Sequence, residues 1–167
     1  MNGEQKELYR ATIDLWQCLC DLHQRLYECT TNEYNALLSS ELEKTEEYLK
    51  KKKNIINKIN IEEQNRQKLI EEILGPKKLS NEYRFSDLKA YFNQFEIEKE
   101  GNHLNNFNLI LMDTIKKIRQ QNKKNQLFLN RAMLSLEGLK LPLGEKSSLS
   151  LYNKKGKKLK KVDLKEV

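Results

Sequence analysis

The residues that break helices are scarce in this chain. Two prolines and six glycines among 167 residues leave long stretches without a natural stop, and that scarcity argues against the many turns a sheet requires. Long apolar runs are missing too. Nothing approaches the roughly 18 consecutive apolar residues of a membrane span, so stable membrane insertion is not expected. The opening stretch, Met1 to Lys6, is polar and has no signal-peptide core, which predicts a cytoplasmic protein.

Cysteine is limited to Cys18, Cys20 and Cys29. Three thiols inside one helical segment cannot build a disulfide framework, so reduced, packed side chains are expected. Cys20 and His23 are three apart and share a helix face, but two ligands with no third nearby make no metal site. Histidine is limited to His23 and His103, neither with a carboxylate partner at helical spacing. Gly138, Gly144 and Gly156 are isolated, so no phosphate-cradling loop is present. The carboxylates fall into ordinary Glu/Lys patterns of helix surfaces. No catalytic residue, metal site or cofactor is assigned, and the chain reads as a binding protein rather than an enzyme.

Helical periodicity fills most of what remains. Leu104, Asn108, Leu111, Ile115, Ile118, Asn122, Asn125, Leu129, Ala132, Leu136 and Leu139 alternate at spacings of three and four. That is the seam of one long helix, about 50 Å at 1.5 Å per residue, packed lengthwise on other helices. Two features depart from a plain seam. Asn122 and Asn125 are polar where apolar residues are the rule; such residues set register, or they hydrogen-bond a partner. Leu127, Leu134 and Leu141, with Phe128 and Met133 beside them, form a second stripe at heptad spacing. A bundle core hides one stripe, so the second is left for a partner, or packs under a short helix or a dimer mate.

The segment Glu4 to Leu38 repeats the pattern through Leu8, Thr12, Leu15, Leu19, Leu22, Leu26, Cys29, Glu33 and Leu37, widened by Ile13 and Trp16. A helix touching two neighbours is expected there, with a bend or break at Thr30-Thr31-Asn32, where helix propensity drops. Ser40 with Glu43 matches a capping box and predicts a second helix to Leu74, its core being Leu42, Leu49, Ile56, Ile59, Ile70 and Ile73. The run Lys50 to Lys53 reads as solvated surface. Gly75-Pro76 stops that helix. Residues 77–85 read as a loop, after which Ser86 caps a short helix carrying Leu88, Tyr91, Phe92 and Phe95 as packing bulk. Gly101-Asn102 separates it from the last helix, or kinks the two together, and Pro142 and Gly144 end that helix. The expected architecture is all-α: an elongated antiparallel helical bundle of three long helices plus one short over residues 1–144, then a lysine-rich flexible tail over 145–167.

The charge is lopsided. Residues 145–167 hold eight lysines against Glu145, Asp163 and Glu166, which is +5 of the chain's +7. A basic tail on a nearly neutral body suits a coiled-coil adaptor that binds nucleic acid or anionic membrane. Against that use, no aromatic follows Tyr152 to stack on bases, and a solvated tail explains the composition equally well.

Three fragments carry a resemblance. In the second helix Lys53-x-x-Ile56 leads to Glu62-Glu63-x-x-Arg66. In the last helix Asn122-x-x-Asn125 is followed by Leu127, Leu129 and Leu136-x-x-Leu139. In the tail Ser150-Leu151-Tyr152 precedes Gly156 and further lysines. In this order, behind two long helices, they resemble the FlgN family of flagellar type III export chaperones. The tail departs from the family pattern where Asn153 replaces the glycine after the tyrosine, although asparagine also tolerates a left-handed turn.

The resemblance implies a cytosolic helical protein that holds hook–filament junction proteins of the FlgK/FlgL type by their C-terminal helices, prevents premature assembly and hands them to the export gate. It implies a client surface at Leu127, Phe128, Met133, Leu134 and Leu141, with Asn122 and Asn125 either touching the client or setting register. It also implies that Tyr152 docks on the cytoplasmic domain of the export gate. No nucleic acid is expected as a partner, and the free form is expected to be a monomer or weak dimer.

Overall fold

The computed structural model describes residues 3–75, 85–93 and 102–140. Four α-helices occupy them: α1, Gly3–Leu38; α2, Leu42–Leu74; α3, Phe85–Tyr91; and α4, His103–Lys140. Among the described residues, the expected all-α class with three long helices and one short is what this sequence adopts. The chain divides into two units, Met1–Gln126 and Leu127–Val167.

In the first unit, α1 and α2 form an antiparallel hairpin closed by residues 39–41. Its turn is not the expected capping box. Ser40 has φ 57°, its N–H donates to the Leu37 carbonyl, and the Glu41 N–H donates to the Ala36 carbonyl at 2.9 Å. These two bonds make a Schellman close to α1 with serine in the left-handed position usually given to glycine. α2 then begins at Leu42 with no side-chain cap. At its far end Gly75 takes φ 77°, as expected of a glycine stop.

The threonine stretch does not interrupt α1. Thr30 and Thr31 hydroxyls donate back to the Leu26 and Tyr27 carbonyls at 2.7 and 3.0 Å. Thr12, Thr45 and Thr114 donate one turn back in the same way. Buried hydroxyls are thus satisfied inside their own helices, and low propensity is overridden by packing.

Two apolar clusters hold the unit together. The larger brings Tyr9, Trp16, Leu19 and Cys20 of α1 against Ile70 and Ile73 of α2, Leu88 of α3, Phe92 just after it, and Leu104 and Leu111 of α4. Phe92 is fully buried and meets the Tyr9 ring edge-on at 5.3 Å, a favoured aromatic geometry. The second cluster joins Leu22, Leu26, Ile59 and Ile118. These pairings run α2 antiparallel to both α1 and α4. Ser86 lies inside α3 rather than capping it, and Phe95 falls outside the described residues.

The register of α2 differs from expectation. Ile59, Ile70 and Ile73 are buried, but Leu42, Leu49 and Ile56 are exposed, Leu42 by 76%. The residues that face the bundle instead include Thr45, Lys52 and Ile55. α2 carries apolar residues on two faces about 60° apart at 100° per residue, and contact with α1 selects the more polar one. Lys52 accordingly leaves the solvated lysine run: its ammonium lies 2.8 Å from the Glu33 carboxylate.

Candidate functional site

The seam of α4 changes character along its length. Leu104, Leu111 and Ile118 are buried, and then the polar residues begin. Gln121 donates to the Asn125 side-chain oxygen at 3.0 Å, and Asn125 donates to the Thr30 carbonyl of α1, also at 3.0 Å. Asn122 accepts from Lys52 at 2.7 Å while Lys52 also binds Glu33. Glu33 and Asn125 are almost completely buried. A buried carboxylate needs a cation and hydrogen bonds to offset its lost hydration, and this layer supplies the cation and satisfies both asparagine oxygens. Two roles are expected for the asparagines, and the hydrogen bonds they make in the structure tie α4 to α1 and α2.

The second unit, described through residue 140, is the remainder of α4. Here Leu127 and Leu134 are exposed, as are Met133, Leu129 and Leu136, at 41% to 66%; Phe128 is half-buried. The sequence pattern placed Leu129 and Leu136 in a covered seam. They are uncovered, because the helices that bury the seam in the first unit have no counterpart among the described residues of the second. The signal was the polar run Gln121-Asn122-x-x-Asn125 followed at once by apolar residues on every side. Leu141 and Tyr152 lie outside the described residues.

Other chemistry is sparse. The three cysteines are free, and burial pushes all three thiols up, Cys20 to about 11, which favours the protonated thiol over the thiolate. Cys20 and Cys29 donate to the Phe107 and Tyr48 carbonyls, and the Nδ1 of His23 lies 2.7 Å from the Leu19 carbonyl. Among the described residues no group of three or more His, Cys, Asp or Glu is placed to hold a metal ion, and no helix is long and apolar enough to cross a membrane. An open groove of about 330 Å³ is lined by Tyr9, Arg10, Ile13, Asp14, Gln17, His103 and Phe107. It belongs to the first unit.

Among the described residues the fold is all-helical, with uncovered leucines along the last part of α4. The family model described as FlgN protein matches residues 1–160. The chain belongs to the FlgN family. FlgN proteins are flagellar export chaperones, a family of binding proteins rather than enzymes. The match takes in all four helices and reaches past Tyr152. In this FlgN chain Arg66 of the second-helix motif pairs with Glu63 at 2.7 Å and sits over the Trp16 ring at 5.7 Å, so that motif contributes to packing between α1 and α2. No curated protein sequence and no solved structure matches the chain.

Proposed function

We propose that this protein is a cytosolic chaperone for hook–filament junction proteins of the FlgK/FlgL type. It covers their C-terminal helices, prevents premature assembly and delivers them to the export gate. The observation that carries this reading is the cluster of uncovered apolar side chains from Leu127 onward. Uncovered leucines are an aggregation risk in a lone protein, and helices that pair only after export carry the complementary risk in the cytoplasm. Laying one on the other removes both, by helix-in-groove recognition read at three- and four-residue spacing. Leu127, Phe128, Met133, Leu134 and Leu141 form the client surface. Asn122 and Asn125 serve it indirectly, by fixing the register of α4 on α1 and α2.

Tyr152 docks on the cytoplasmic domain of the gate component. A tyrosine in a polar segment is a suitable anchor, because it buries a ring at small entropic cost and keeps a hydroxyl for one bond. Release follows from competition at the gate and requires no nucleotide or metal.

Replacing Leu127 and Leu134 by Glu tests the client surface. Capture of the junction protein should be lost while helix content and melting stay nearly unchanged, since both side chains are exposed. A collapse of melting would place these leucines in the core and end the proposal. Deleting residues 146–167 should spare client binding and block export; loss of both would refute the division of labour. Client binding that weakens steeply with added salt would favour the basic-tail adaptor instead.

A further inference from the structure

The section of α4 from Leu127 to Gly138 is apolar along two lines rather than one. Leu127 and Leu134 form the first; Leu129, Met133 and Leu136 form the second, and all five are exposed. At 100° per residue these lines lie roughly 140° apart around the helix axis. A single neighbouring helix covers a stripe of roughly 100°, so one neighbour would leave one line in water. Between Leu127 and Gly138 the charged residues are Arg131 and Glu137, of opposite sign, so this section offers no net charge to attract nucleic acid or anionic lipid.

The spacing of the bundle's own seam runs on into this section. Leu129, Ala132 and Leu136 carry on, at unchanged spacing, a seam that in the first unit is met by helices, α1 through Asn125 and α2 through Asn122. The continued line is therefore fitted to a helical partner, and the Leu127/Leu134 line, which lies outside that seam, calls for a second one. We infer that this section of α4 is enclosed by a pair of client helices, one seated on each apolar line. The inference rests on the chaperone reading above and deepens it: the client unit recognised is a helical pair.

The test titrates the full chain with three probes: the purified full-length junction protein of the FlgK type, a fragment holding its last two helices, and a synthetic peptide of its last helix alone. Two double variants accompany it, Leu127→Glu with Leu134→Glu, and Leu129→Glu with Leu136→Glu. Leu129→Ser with Leu136→Ser is a milder version should the charged pair perturb the helix. Calorimetry should show 1:1 binding of the two-helix fragment at about 100-fold or more tighter affinity than the single helix, the gain expected when two weak contacts are linked. Each double variant should reduce the fragment to the affinity of the single helix.

A single helix binding as tightly as the fragment, with the Leu129/Leu136 variant indistinguishable from wild type, overturns the pair while leaving the chaperone reading intact. Failure of all three probes to bind overturns both. Sedimentation of the full chain as a dimer that the Leu129/Leu136 variant dissolves assigns the second line to another copy of this protein, and that also overturns the inference.

Discussion

The two ends of the first unit are built from different materials. At one end Trp16, Leu19, Ile73, Leu88, Phe92 and Leu104 pack into an apolar cluster. Toward the other, α1, α2 and α4 meet through Thr30, Glu33, Lys52, Gln121, Asn122 and Asn125. Apolar burial is strong and indifferent to small slips; it stabilises by about 25 cal/mol for each Å² removed from water, whatever the exact partner. A buried ion pair with its hydrogen bonds contributes little net energy, yet is costly in any register that separates its members. One end therefore holds the bundle together, and the other fixes where along α1 and α2 the last helix sits. Under the proposed function, that setting decides which side chains are offered to a client.

The largest effect should come from the apolar end. Phe92→Ala empties a fully buried site and is expected to lower unfolding free energy by about 3–5 kcal/mol, measured by urea denaturation. A loss below about 1 kcal/mol would mean that the aromatic cluster is not the stabilising end.

The polar end should respond differently to single and double changes. Lys52→Ala strands the buried Glu33 carboxylate and is expected to cost about 2–3 kcal/mol, below the full burial figure because Lys52 keeps 17% of its side chain exposed. Glu33→Leu combined with Lys52→Met should recover most of that loss. It should also broaden the amide spectra of residues 118–126, as α4 loses its fixed register. Sharp spectra in the double variant would refute the register role.

Smallest is the hairpin turn. Ser40→Gly relieves a left-handed serine and should raise stability by about 0.5 kcal/mol, the steric gain being partly offset by a more flexible unfolded chain. A loss of stability would show that the Ser40 side chain contributes something beyond the Schellman geometry.

Much of the fold was legible in the letters. The three–four spacing from Leu8 to Leu37 and from Leu104 to Leu139 located α1 and α4 almost to the residue, because few competing breakers interrupt them. The register of α2 was not legible. Leu42, Leu49 and Ile56 make a convincing stripe, yet the bundle turns Thr45, Lys52 and Ile55 inward. Hydropathy ranks Lys52 last among core candidates, and its burial makes sense only once Glu33 and Asn122 are seen converging on its ammonium. The same limit affects the candidate surface. Its leucines were visible as an excess, but spacing could not distinguish a covered seam from an uncovered one.

The sequence by itself determined helix content, helix ends and the surplus of leucine near the end of α4, because these depend on local propensity and on periodicity along one chain. It also carried the family fragments. Only the tertiary structure decided which of two plausible faces of α2 meets α1, that Asn122 and Asn125 are spent on α2 and α1, and that Leu129 and Leu136 stand uncovered. The reason is physical: burial is a property of what lies opposite a side chain, and the opposite residue comes from a distant part of the chain.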